Sequence, residues 1–345
     1  MARRKARIPQ GKKIQPAAMT MAFIIPGISG ANTDHTIDLS QCASLLNRKF
    51  FRQGLVWHVA GFTVLSKPNS SGNINLLTQQ KTWIASNSWH KGFSSWQRMN
   101  REALDESESV RPKFLDFKVY LDSVHHTKGS TQNLLPYVGY LPADVAEPGT
   151  WDYSKIHVPI QLGTTNTQEF DILWNGASFP GASPITGNDA VSLIEGYAAS
   201  RGLPDIRDPN APSDADDVTG TTPENWMAAL FNEGTDQSEE VLGDMLTENN
   251  LAPYPFENMD GVTTDTKYPG GASQLTGLEF LSGASITPTT VSGVNYLPGG
   301  SVPAGLLRVY SDVQLEDQTE SAVTLIVHMI PGNHRGYACT KMQDM

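Results

Sequence analysis

Cysteine is scarce in this 345-residue chain, which holds Cys42 and Cys339 and no others. Two thiols cannot build the disulfide framework of a small secreted scaffold. Stability must therefore come from a buried core, and the pair suits a reducing compartment. Long apolar runs are lacking too. The longest, residues 21–26 and 323–330, have strand length and fall far short of the roughly 20 residues a membrane-spanning helix requires. No apolar segment of signal-peptide length follows the charged N-terminus. A non-secreted protein without membrane insertion is expected, and the sequon Asn69-Ser70-Ser71 carries little weight.

Catalytic groupings are the third absence. A reactive site needs a nucleophile, a base and an orienting group, or else clustered ligands. The histidines are scattered at 35, 58, 90, 125, 126, 157, 328 and 334. His125-His126, the one adjacent pair, sits at an expected strand end before Gly129. Neighbours on a strand face opposite ways, so the two do not chelate one ion and read as polar turn residues. His328, inside an apolar strand, reads as a buried or interface histidine. Gly27-Ile28-Ser29-Gly30 departs from the G-x-S-x-G spacing of a nucleophile elbow. Pro269-Gly270-Gly271 and Pro298-Gly299-Gly300 lack the Lys-Ser/Thr of a phosphate-binding loop and read as turns. No two of the 36 carboxylates stand out as a glycosidase pair. The expectation is a protein that is not an enzyme and carries no cofactor. A calcium ion is the one candidate, at the carboxylate-dense loop 205–217 with Asp214, Asp216 and Asp217, although EF-hand spacing is missing.

What is present points to β structure. Hydrophobic residues make up 39% of the chain, enough for a core, and 30 Gly with 22 Pro demand many turns. The net charge of -11 is unevenly spread. Residues 1–13 hold Arg3, Arg4, Lys5, Arg7, Lys12 and Lys13 and no acid, whereas residues 205–250 hold twelve acids against Arg207 alone. Residues 1–20 lack hydrophobic periodicity and read as a flexible basic arm, a solvated tail or a nucleic-acid contact.

Strand-like segments follow. Residues 36–39 alternate, and Ser40 is placed to cap a short helix through Leu45, Leu46, Phe50 and Phe51, closed by Gly54. Residues 55–65 are rich in β-branched and aromatic side chains, residues 68–73 read as a turn, and residues 74–85 resume as a strand. Trp89, Phe93, Trp96, Asn100, Ala103 and Leu104 recur at helical spacing behind Ser88, a helix of about 16 residues. Strands are expected at 114–121, 157–162, 168–174, 275–281, 306–313 and 322–330, the last two as a hairpin. Between 168–174 and 275–281, residues 176–271 form a surface insertion. It has a short helix at 189–201, an acidic loop at 204–220, a helix started by Thr222-Pro223-Glu224 and a second one around Val241–Leu246. The C-terminal strands need partners and the N-terminal strands supply them. The fold class expected is mainly β: an antiparallel jelly-roll (Greek-key) sandwich over residues 21–345 with a partly helical, acidic loop insertion.

The stretches Leu45-Leu46-Asn47-Arg48-Lys49-Phe50-Phe51-Arg52-Gln53-Gly54-Leu55, Trp83-Ile84-Ala85-Ser86-Asn87-Ser88-Trp89-His90-Lys91 and Lys113-Phe114-Leu115-Asp116-Phe117-Lys118-Val119-Tyr120 resemble three segments of one protein family. That family is the capsid proteins of small circular single-stranded DNA viruses that encode a replication initiator, the CRESS group. The resemblance covers roughly residues 35–125 in order and spacing. It implies a single jelly-roll subunit that self-assembles into a small icosahedral shell around a circular genome, as part of a virion assembled inside the host cell. Its partners would be further copies of itself, viral nucleic acid and a host receptor. Members carry a longer Arg-rich arm than the six basic residues here. Arg48, Lys49 and Arg52, interleaved with Phe50 and Phe51, read either as a nucleic-acid face or as the solvated side of an amphipathic helix. Two rival functions stand beside the shell: a jelly-roll carbohydrate-binding module and a β-sandwich hydrolase.

Overall fold

The computed structural model describes residues 15–26, 33–106, 116–139, 144–159, 167–201, 277–289, 293–315 and 321–344. The chain opens with β1 (Thr20–Ile25), β2 (Thr33–Asp38), α1 (Leu39–Asn47), β3 (Leu55–Leu65) and β4 (Ser70–Thr78). It then runs through α2 (Trp83–Glu106), α3 (Ser123–Lys128), β5 (Lys155–Pro159), β6 (Thr167–Leu173), β7 (Ala190–Ser192) and α4 (Leu193–Arg201). Strands return as β8 (Glu279–Ile286), β9 (Val294–Pro303), β10 (Leu306–Ser311), β11 (Gln314–Leu315) and β12 (Val323–Met329). Three short strands close the chain: β13 (Pro331–Gly332), β14 (Gly336–Tyr337) and β15 (Cys339–Lys341).

Eight of these strands make two antiparallel sheets, ordered β1-β12-β3-β9 and β2-β10-β4-β8. Apart from the step from β4 to β8, each successive strand crosses to the other sheet. That order is the double Greek key of a jelly roll. The expected hairpin of 306–313 with 322–330 does not form. β10 lies between β2 and β4, and β12 lies between β1 and β3 in the opposite sheet. Both strands alternate, but alternation says which side chains face inward and nothing about which strand is the neighbour.

The inward residues interdigitate as one core. Phe23, Ile25, Phe62, Val64, Leu325 and Val327 meet Ile37, Ile74, Leu76, Leu307 and Val309 across the sandwich, all at most 1% exposed. β3 changes inward parity at Ala60: Trp57 and Val59 are buried before it, Phe62 and Val64 after it. The pairing shifts at the same place, where His328 faces Gly61 but Met329 faces Val59, a β-bulge. Pro298-Gly299-Gly300, expected as a turn, lies inside β9 opposite this bulge. β9 is an edge strand, where proline is tolerated. A Cβ on Gly299 would stand 2.1 Å from the Val59 carbonyl oxygen, so only glycine fits there.

Several element boundaries differ from expectation for local reasons. α1 is capped by Asp38, whose carboxylate accepts from the backbone N–H groups of Ser40 and Gln41. It stops at Asn47 because Arg48 turns left-handed at φ 51°, so Phe50 and Phe51 fall outside it. β4 ends at Thr78 and α2 already begins at Trp83, with the Thr82 hydroxyl accepting from Ala85 N–H. Ser88 is an interior residue whose hydroxyl donates back to Ala85. The strand expected at 114–121 is absent among its described residues apart from an isolated bridge of Tyr120 to Leu173. The segment 189–201 divides into β7 and α4.

The chain leaves the sandwich after Thr78 and re-enters at Glu279, so the expected insertion 176–271 is the second part of a longer excursion. Its expected helices and acidic loop beyond Arg201 lie outside the described residues. In its described part, β5, β6 and β7 form a small sheet, and Trp89, Trp96, Phe117, Phe170, Ile172, Trp174 and Leu193 build a second core. This core reaches the sandwich through Val56, Ala304 and Leu306. Gly92 lets α2 and α4 approach closely, since a Cβ there would lie 2.3 Å from Leu193 Cδ2.

Candidate nucleic-acid interface

The end of α1 builds the first part of the site. Arg48 and Lys49 are exposed on the turn that stops the helix. Phe51 is fully buried against Trp57 and Tyr337, with ring centroids 6.1 and 5.4 Å away. This anchor fixes the residues on either side. Phe50 stays half-buried and Arg52 is exposed, its guanidinium carbon 5.9 Å from the Phe50 ring centroid. Three distant segments complete the cluster. Trp151 lies 6.5 Å from Phe50, Lys118 Nζ stands 4.2 Å over the Trp151 ring, and the Arg335 guanidinium donates to the Phe50 carbonyl. Arg52, Lys118 and Arg335 thus approach a pair of aromatic residues, with Arg48 and Lys49 exposed on the adjoining turn.

The N-terminal arm joins at the same end. Ala18 N–H donates to Asn47 Oδ1 at 3.0 Å, and the Tyr337 hydroxyl donates to the Ala18 carbonyl at 2.8 Å. Gly336 (φ 114°) packs so closely that a Cβ would stand 2.6 Å from Ala17 Cβ. Asn47 adjoins Arg48, and Gly336 adjoins Arg335. The chain bearing Arg3, Arg4, Lys5, Arg7, Lys12 and Lys13, which lie outside the described residues, therefore enters beside the cationic cluster. Cations beside aromatic rings can hold phosphates while offering π-surfaces to bases. Of the predicted binding residues, Arg48, Lys49 and Arg52 are exposed on the segment just after α1 and not on the helix face expected. Lys118, Trp151 and Arg335 were not anticipated, because no local pattern links such remote positions.

Beneath the cluster lies a buried polar network. Asp38, fully buried, accepts from the backbone and hydroxyl of Ser40, from Gln41 N–H, and from the side chains of Gln53, Trp151 and Tyr153. Burial raises its pKa, and these hydrogen bonds oppose the rise. The Trp151 indole N–H donates to Asp38 at 3.1 Å, tying the surface ring to the network. Asp116 sits at the border. Burial lifts its pKa to about 7 against the pull of Lys118 and Arg52, and its Oδ2 is buried without a hydrogen-bond partner.

His125 and His126, expected as polar turn residues at a strand end, lie on helix α3 and are each 1% exposed. The helix forms because Asp122 caps it, accepting from His125 N–H at 2.9 Å. Leu121 N–H donates to His125 Nδ1 at 3.1 Å, so the proton is on Nε2, which donates to Asn133 Oδ1 at 2.8 Å. Burial, aided by Arg308, pushes the His125 pKa down to about 3. His126 Nε2 and Thr186 Oγ1 both meet Asp171 Oδ2, at 2.9 and 2.6 Å. A cleft of about 710 Å³ opens here, lined by Asn100, Tyr120, Asp152, Tyr153, Lys155 and Asp171 among others. His328 is half-buried and bonded to Thr63 Oγ1 at 2.9 Å, as a satisfied histidine should be.

Among the described residues no three His, Cys, Asp or Glu side chains are grouped to hold a metal ion. The calcium candidates Asp214, Asp216 and Asp217 lie outside them, as do Gly27-Ile28-Ser29-Gly30 and Pro269-Gly270-Gly271. Compared with family models, curated proteins and solved structures, the chain gives no match. No helix among the described residues is long and apolar enough to cross a membrane.

Proposed function

We propose that the chain is the structural subunit of a small viral shell, self-assembling around nucleic acid. The observation that carries this reading is a jelly roll whose basic arm joins it beside a cationic and aromatic cluster. Jelly rolls serve several functions. A shell subunit that packages nucleic acid needs a face suited to polyanion, and the cationic and aromatic cluster supports that reading. The three stretches that resemble capsid segments of CRESS viruses also lie against one another. A Cβ on Gly54 would meet Trp89 at 2.4 Å, and Gln53 exchanges hydrogen bonds with the Val119 backbone at 2.7 and 3.2 Å. In this reading the genome is circular single-stranded DNA, and the protein resides in the virion after assembly inside the host cell.

Negative-stain electron microscopy of the purified protein tests it. Uniform closed particles are expected, and persistent monomers at high concentration and low salt would overturn the proposal. The cleft beside Asp171 favours a second reading, a monomeric carbohydrate-binding jelly roll. Size-exclusion chromatography with and without glycans separates the two, since the module binds sugar as a monomer.

A further inference from the structure

Asp116 is an acid beside the cations of the cluster. Its carboxylate feels Lys118 on its own segment and Arg52 from the turn after α1, while Asp38 repels it from below and the Gln53 backbone offers it a hydrogen bond. One oxygen is nonetheless buried and unbonded. A carboxylate placed for structure alone would take its full set of donors, as Asp38 does with Ser40, Gln41, Gln53, Trp151 and Tyr153. Asp116 is instead held near two cations of the cluster and left incompletely satisfied.

We propose that the face formed by Arg52, Lys118 and Arg335 binds the phosphates of a polynucleotide, with Asp116 as a proton-operated control on its strength. Ionised, Asp116 cancels part of the field of Lys118 and Arg52 and competes with phosphate for them. Protonated, it no longer competes with the ligand for them. The inference rests on the reading that this pole faces nucleic acid. It adds two binding residues that the arm and the α1 turn do not supply, and it adds a condition: binding tightens as pH falls through neutrality. The raised pKa of Asp116, about 7, puts the change where it matters. His334, packed against Phe51 and Trp57, is pushed below its ordinary value by burial and by Arg335 and Arg52.

The test is binding of a labelled oligothymidylate to the full chain at pH 6 and pH 8, with Asp116→Asn and Lys118→Gln as variants. Wild type should bind about fivefold more tightly at pH 6, the effect of one charge at a partly exposed contact. Asp116→Asn should bind at pH 8 as wild type does at pH 6 and lose most of its pH dependence. Its slope of log affinity against log salt should steepen by about 0.7 at pH 8, one further phosphate contact. Lys118→Gln should bind severalfold more weakly at both pH values. An unchanged pH ratio in Asp116→Asn, wild-type affinity in Lys118→Gln, or no binding at either pH overturns the inference. Particle formation is scored separately by microscopy. Particles without an Asp116 effect sink this inference and spare the shell reading, and an Asp116 effect in a chain that never assembles does the reverse.

Discussion

His125 and His126 share one helical turn, and both are withdrawn from water, the first by partners near it in the chain and the second by a distant one. His125 hydrogen-bonds to Asn133 and Leu121, and His126 to Asp171. Little in the sequence signals this. Ser123-Val124-His125-His126-Thr127-Lys128 has no apolar stripe, and the cue that was available, Asp122 placed to cap three residues ahead, is weak on its own. The consequence is a dependence on pH. An unfolded His125 titrates near its ordinary 6.5 and the folded one near 3, so its contribution to stability is complete above 6.5 and is lost as pH falls toward 3. A His125→Gln variant should lose about 1–3 kcal/mol at pH 7, where a buried hydrogen-bonded group is replaced. It should also decline less steeply than wild type between pH 6.5 and 3 in urea titrations. Equal slopes in that window would rule the assignment out.

At the level of elements, several strands were legible, and so was the pairing of C-terminal with N-terminal strands, but the order of neighbours within each sheet was not. Residues 55–65 carry enough β-branched and aromatic residues to declare β3 to the residue, whereas β9 hides behind Pro298-Gly299-Gly300. Helix α2 was recognised from its Trp and Phe spacing, but its first turn looked like strand because Trp83 and Ile84 are as common there. Short α3 escaped notice, although it pins the excursion to the sandwich. Its cap Asp122 bonds the Arg308 guanidinium at 2.5 Å, on the outward side of β10, and Arg308 is 4% exposed. Asp122→Ala removes both the cap and this partner, leaving a buried charge with Asp34 3.9 Å away. The expected cost is about 3 kcal/mol by chemical denaturation, partly recovered when Arg308→Met is added. A cost below about 1 kcal/mol would show that the excursion is held by its apolar core alone.

For the whole molecule, the charge polarity read from the sequence has a partial counterpart in space. Residues 17 and 18, just after the arm's basic residues, pack beside Asn47 and Gly336, a placement that composition did not foretell. That Lys118 and Trp151 would join the cluster there depends on the fold and had no local sign. The acidic stretch falls outside the described residues. Both sheets carry exposed apolar side chains, Tyr296 at 81% on the first and Phe280 at 60% on the second, while Arg308 of the second is covered by α3. If the arm is the main packaging element, deleting residues 1–13 should leave the fold intact and lower the 260/280 nm absorbance ratio of particles. An unchanged ratio would assign packaging to the folded cluster.

The excursion between Thr78 and Glu279 begins and ends on adjacent, paired strands, with Thr78 opposite Glu279. Its two stems are therefore clasped together whatever lies between them. Closing a loop costs only about 0.6 kcal/mol more for each doubling of its length. The eight-stranded frame is thus nearly blind to how much chain is threaded through this doorway. Related sequences can lengthen, shorten or exchange what they display there while the frame, and the pole where the arm enters, keep the same construction.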